Sequence, residues 1–295
     1  MNTASKLCAA LALCVAFTAT AEEPRYKPFV LATRGPGDVE KVVDEVKAKL
    51  AAAGFEIAGS YSPYEGAVIL AVTSEDLKAA ASKQEFGGYA AAQRVTVTRV
   101  EDEIQVAYTN PVYMGHAYRL DADLAPIAAR LSAALGNVEE YGPPEGLTAK
   151  DLRGYHYMFG MEYFDEPTRI GRYAHRQGAN KAIEAGLAAG RGGAKLVYKI
   201  DLPASDETLY GVALTDGCSG DERIMKEIDA KSIRSTGHLP YEILVSKKNA
   251  WALYARFRIA INFPDLKMMG AHSFMNIRCA PDAIASALKQ VTGQR

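Results

Sequence analysis

The chain has 295 residues, 48% hydrophobic and 23% charged, a globular composition with room for one large domain or two of ordinary size. With 34 basic against 35 acidic side chains the net charge is −1, which gives a polyanion no attraction and excludes a basic nucleic-acid module. Glycine at 25 residues and proline at 13 are ordinary usage, so a fibrous or long disordered chain does not fit.

Residues 1–21 read as a signal peptide: Lys6 and the amino terminus supply the positive charge, Leu7 to Phe17 the apolar stretch, and Ala19-Thr20-Ala21 the small residues before cleavage. The chain is therefore expected to be exported to the periplasm. No later apolar run approaches the ~20 residues a membrane span requires. Cys8 and Cys14 leave with the leader. Cys218 and Cys279 then face an oxidising compartment, where such a pair is expected to form a disulfide.

In chain order the first unit, residues 22–138, opens with a strand at Phe29 to Ala32 and a Gly35-Pro36-Gly37 turn. Asp38 is placed to cap a helix with Val39, Val42, Val43, Val46 and Leu50 at helical spacing. Strands follow at Phe55 to Ser60 and Val68 to Val72, a helix at Ser74 to Gln84, and strands at Val95 to Val100 and Ile104 to Tyr108. Leu124, Ile127, Leu131 and Leu135 make the stripe of a closing helix that Gly136 ends. Residues 139–150, with Pro143-Pro144 and two glycines, read as a linker. The second unit, residues 151–295, repeats the order. Strands are expected at Tyr155 to Phe164, Lys195 to Leu202, Thr208 to Leu214, Tyr241 to Val245 and Trp251 to Ile261. Helices are expected at Asn180 to Leu187, Asp221 to Ile228 and Ala283 to Val291. Asp165 to Gly178 has no counterpart in the first unit. The expected fold is α+β, two similar β-α-β-β-α-β-β-α domains in tandem.

Local detail adds to the repetition. Pro111, Met114, Gly115, His116 and Tyr118 are echoed by Pro264, Met268, Met269, Gly270, His272 and Phe274. The Leu239-Pro240-Tyr241-Glu242-Ile243-Leu244-Val245 strand, its hairpin, the long following strand and the proline after it resemble the C-terminal part of the domain-of-unknown-function 302 family. The first half resembles that domain less closely. The resemblance implies a tandem pair of such domains across most of the mature chain and, since the family carries no agreed activity, nothing about mechanism.

Motifs for chemistry are sparse. There is no Gly-x-Ser-x-Gly elbow, no His-Glu-x-x-His and no phosphate-binding loop with its Gly-Lys pair. Thioether and imidazole suit soft or borderline metals, so His116, His272, Met114, Met268 and Met269 form a candidate metal set, with both domains contributing at one interface. His116, His272, Met114, Met269, Arg256 and Arg258 are the candidate ligand-binding residues, the arginines lying on the polar face of the strand expected at Trp251 to Ile261. No residue is assigned a catalytic role, and no motif names a cofactor. The expectation is an exported, non-catalytic binding or accessory protein whose site lies between the repeats, its partner a small molecule or another periplasmic protein, with no nucleic acid. The alternatives are a metal- or haem-binding protein using the Met-Gly-His pair and a hydrolase with an unrecognised site. Whether the protein is an enzyme is left open.

Overall fold

The structure is a computed structural model describing residues 23–156 and 160–294; the expected signal peptide lies outside them. The first half runs β1 (Arg25–Tyr26), β2 (Phe29–Gly35), α1 (Val39–Ala52), β3 (Glu56–Tyr61), β4 (Ala67–Thr73), α2 (Glu75–Ala81), β5 (Gln93–Val100), β6 (Glu103–Thr109), α3 (Pro111–Ala117) and α4 (Ala125–Leu135). It is followed by β7 (Glu139–Tyr141), β8 (Leu147–Thr148) and α5 (Ala149–Arg153). The second half runs β9 (Thr168–Arg172), α6 (Arg176–Ala188), β10 (Ala194–Leu202), β11 (Glu207–Leu214), α7 (Asp221–Ile228), β12 (Tyr241–Ser246), β13 (Asn249–Ala252), α8 (Ala255–Asn262) and α9 (Ala280–Val291).

Local chemistry sets many of these bounds. Asp38 accepts from the Lys41 amide to start α1, which buries Val43, Val46 and Leu50, and Gly54, at φ +76°, turns the chain after it. Ser74 caps α2 by accepting from the Leu77 amide, and Asn110 caps α3 with Pro111 at its first position. The segment expected to link the halves is built into the first: β7 pairs with β2, β8 pairs with β1, and Thr148 and Asp151 form a capping box for α5.

The two large sheets are antiparallel, so the fold is α+β. Their strand orders correspond: β3-β4-β5-β6-β2, extended by β7, and β10-β11-β12-β13-β9. The first strand of the second half is β9, inside the segment that the sequence left unplaced. The strand expected at Tyr155 to Phe164 is absent among the described residues of that stretch, and 157–159 lie outside them. The long strand expected at Trp251 to Ile261 is a correction too, because β13 ends at Ala252 and the chain turns into α8. That helix is buried at Ala255, Phe257, Arg258, Ile259, Ala260, Ile261 and Asn262. A helix enclosed on nearly every side has no polar stripe, so its apolar residues happened to alternate as in a strand.

Helices cover the outer face of each sheet, α1 and α4 on the first, α6 and α9 on the second, and the inner faces meet each other. The contact is close. At the sheet edges a Cβ on Gly59 of β3 would lie 2.0 Å from the Val197 carbonyl oxygen of β10. Each half also lays a short 3-10 turn on the other's sheet: Gly87–Ala90 packs against β11 and β12, and Thr236–His238 against β4, β5 and β6. Between the sheets Arg94 of β5 forms a buried ion pair with Glu242 of β12, each side chain about 1% exposed. Tyr198 donates to the same carboxylate at 2.6 Å. Two ions removed from water tolerate no loss of either partner, so this pair fixes how the halves are docked.

Candidate functional site

The docked halves leave a groove around the Tyr61–Gly66 turn. One cavity there, about 480 Å³, takes Tyr64, Glu65, Thr98 and Arg99 from the first half. The second half supplies α7 residues Glu222, Met225 and Lys226, then Asp229, Arg234 and His272. Two adjoining hollows, of about 590 and 230 Å³, continue along α7, and both have Pro63, Leu214, Thr215 and Asp221 in their walls.

The walls are held by bonds that cross between the halves. Tyr64 and Thr98 each meet the Thr236 hydroxyl, at 2.8 and 2.9 Å. The Gln105 side chain donates to the Ser232 carbonyl at 2.7 Å and accepts from the Arg234 amide at 3.0 Å. Tyr141 donates to the Arg234 carbonyl at 2.7 Å. The loop that carries Arg234 is thus fastened to the first sheet, and the rim is pre-organised.

A buried aspartate stands at each end of α7. Asp221 accepts from the Tyr61 hydroxyl at 3.0 Å and the Leu214 amide at 3.2 Å, both on Oδ2, while Oδ1 is buried with no partner. Burial pushes its carboxyl up to about 7, against the lowering effect of those two bonds. Asp229 accepts from the Ser235 amide on both oxygens, at 2.9 and 3.0 Å, and burial likewise pushes it up to about 7. Burial thus acts alike on two wall carboxyls, Asp221 in the adjoining hollows and Asp229 in the cavity beside Tyr64. Arg99, Lys226 and Arg234 face Glu65 and Glu222 there, and among the described residues neither Arg99 nor Lys226 has an ion-pair partner. The arrangement can hold an acidic group.

Of the residues singled out by sequence, His272 reaches this groove, its Nδ1 at 3.0 Å from the Glu227 carbonyl. His116 does not. It lies on α3 with its ring 5.3 Å from that of Tyr26, where burial and nearby Arg153 hold its imidazole below the usual value. The two histidines share none of these neighbours. Nor are their motifs equivalent, since α3 follows β6 as α8 follows the corresponding β13, whereas Met268 to His272 lies in the loop beyond α8. Met114 is buried in the first core at 1% exposure, while Met268 and Met269 are exposed. The paired His116–His272 site is thus not assembled, and among the described residues no group of three or more His, Cys, Asp or Glu side chains could hold a metal ion.

The arginines part company as well. Arg256 lies at the surface near Asp282, at 3.4 Å. Arg258 is buried and committed, donating to the Tyr118 hydroxyl at 3.1 Å and the His238 carbonyl at 2.8 Å. It is a structural residue between the sheets, not a free ligand contact. Cys218 and Cys279 are bridged, with Cα atoms 5.8 Å apart, tying the turn before α7 to the start of α9.

Sequence reasoning missed Asp221, Asp229, Tyr64, Arg99 and Arg234. One signal was present: an aspartate at the C-terminal end of a helix, as Asp229 is to α7, opposes the helix dipole and needs another reason to be there.

No family model and no curated protein matches the chain. One solved structure, described as an uncharacterized conserved protein DUF302 from Bacillus stearothermophilus, aligns over 35% of this chain and 92% of its own at 17% identity. Its TM-score is 0.32, a likeness too weak to add to the fold described above.

Proposed function

We propose that this is an exported, non-catalytic binding protein that takes a small polar ligand carrying an acidic group into the groove between its halves. The observation that carries the reading is the cavity of about 480 Å³ walled by both halves, with Arg99 and Lys226 unpaired by any carboxylate among the described residues. Concave sites between domains with a few convergent polar groups are where small molecules bind. Export is supported by the leader-like first 21 residues and by the bridge between Cys218 and Cys279, a bond that oxidising compartments preserve. The corresponding strand orders support reading the halves as a tandem pair of the domain-of-unknown-function 302 type.

Native mass spectrometry of protein taken from the periplasm tests the proposal. A bound small acid is expected, and it should be lost from the Arg99→Ala/Lys226→Ala variant. Retention by that variant, or a cavity that comes out empty and binds nothing from a library of small acids, would sink it. Turnover of a generic ester or phosphate would replace it with the hydrolase reading.

A further inference from the structure

The methionines excluded from the paired-histidine site form a cluster of their own. Five large hydrophobic side chains are strongly exposed among the described residues, and three of them, Met268, Met269 and Met275, sit in one loop between α8 and α9, at 39, 76 and 40% exposure. Isolated exposed apolar residues need no explanation, but a cluster within eight positions of sequence does. The loop is not slack. The Phe274 amide donates to the Lys267 carbonyl at 2.8 Å and the Met275 amide to the Met268 carbonyl at 3.1 Å, so the two ends of the methionine segment lie side by side. Between them His272 takes a left-handed backbone, φ 52°, next to Gly270 at φ +103°. A histidine held in that sparsely populated region requires support from its surroundings, and the contact of Nδ1 with the Glu227 carbonyl provides it. A carbonyl only accepts, so Nδ1 is the donor in that contact, and in the neutral ring Nε2 then carries the lone pair with which imidazole binds metals. A fourth thioether, Met161, shares an apolar hollow with Met268 beside Phe263 and Phe274.

We infer that this loop is a copper(I) site, with His272 Nε2 and the sulfurs of Met268, Met269 and Met275 as its donors. Thioethers are soft ligands that select copper(I) over the harder divalent ions, and a mixed sulfur and imidazole set is within that ion's chemistry. Methionine has three rotatable bonds and no branching, so exposed side chains can close on an ion without moving the backbone already held by the loop's hydrogen bonds. All four donors come from one segment of one half. The site therefore takes nothing from His116, although its His272 also lines the groove beside Arg99 and Lys226.

The test is a competition in which the purified chain is offered copper(I) as its bicinchoninate complex under ascorbate, with the disulfide left oxidised. The wild-type chain is expected to withdraw one copper(I), and X-ray absorption should show sulfur scatterers with one imidazole nitrogen. M268L/M269L/M275L keeps side-chain volume at exposed positions and should retain the fold, checked by its unfolding curve, but lose the transfer. H272A should weaken it, while H116A should transfer copper as the wild type does. Failure of the wild-type chain to compete, or equal competition by the triple leucine variant, overturns the inference. A loss of transfer in H116A would overturn it in favour of a site spanning both halves.

Discussion

The connection from the third to the fourth strand is handled differently in the two halves. After α2 the chain takes residues 82–86 to reach its 3-10 turn, and the space beside it is filled: Phe86 packs edge-on to Trp251 at 5.3 Å, Lys247 pairs with Glu85 at 3.7 Å, and Gly88 donates to Glu207. After α7 the chain takes the longer path of residues 229–235, and the corresponding place is the open cavity beside Tyr64 and Arg99. Glycines permit the first closure, since a Cβ on Gly88 would stand 2.6 Å from a Leu244 methyl and 2.7 Å from Glu207. Two halves of one topology thus present one sealed and one open copy of the same junction. The open copy is the one that the proposed ligand would occupy.

The sharpest way to break the arrangement is at the ion pair beneath both junctions. Arg94→Ala takes the nearer guanidinium from buried Glu242, leaving it Arg258 at 3.9 Å and the Tyr198 hydroxyl, and should cost roughly 3 to 5 kcal/mol in urea unfolding. A loss below 1 kcal/mol would mean that the pair does not govern docking. Opening the bridge with Cys218→Ser/Cys279→Ser releases a loop spanning a sequence separation of 61, for which the chain-entropy model gives a loss of about 4 kcal/mol before native-state effects are counted. Because α7 begins just after Cys218, hydrogen exchange should rise in α7 well before it rises in α2.

A smaller effect separates the two junctions by pH. Asp221 and Asp229 are pushed up to about 7 in the folded chain, from an unfolded value near 4. Below pH 4 both states are protonated and these two groups cost the fold nothing; between about pH 4 and 7 the unfolded chain ionises and the folded one does not, so their contribution falls as pH rises, by at most about 1.4 kcal/mol per pH unit for each group. Asp221→Asn can still accept from Tyr61 and Leu214. Chemical unfolding of that variant should show a flatter profile across this window and greater stability at pH 8; an unchanged slope would show that Asp221 titrates normally. Smallest of all, Arg99→Ala on the open side and Lys247→Ala on the sealed side should each change stability by no more than about 0.5 kcal/mol, as exposed substitutions do. The first alone should affect ligand retention, as seen in native mass spectra.

How much of this could be read beforehand depended on whether a segment's environment was amphipathic. α1 and α4 have a wet face and a dry face, and their spacing announced them. α8 has almost no wet face, and its sequence imitated a strand. The disulfide followed from an expected compartment and from counting. The groove was another matter: a location between the halves could be anticipated, but Asp221 and Asp229 are set apart from the other aspartates only by burial, which arises when two sheets distant in sequence are pressed together. The Met-Gly-His echo misled for the complementary reason. It matched letters at positions that the fold does not superimpose, α3 in one half and a loop in the other.

Arg94 and Glu242 are each the second residue of corresponding strands, β5 and β12, and they touch. In a dimer of identical subunits a residue that meets its own counterpart across a two-fold axis meets its own charge, either two arginines or two glutamates, and burying such a pair is prohibitive. With both halves in one chain that restriction does not apply. A single chain can write opposite signs into matching places, and so can seal with an attraction the one point that self-association would have to leave neutral.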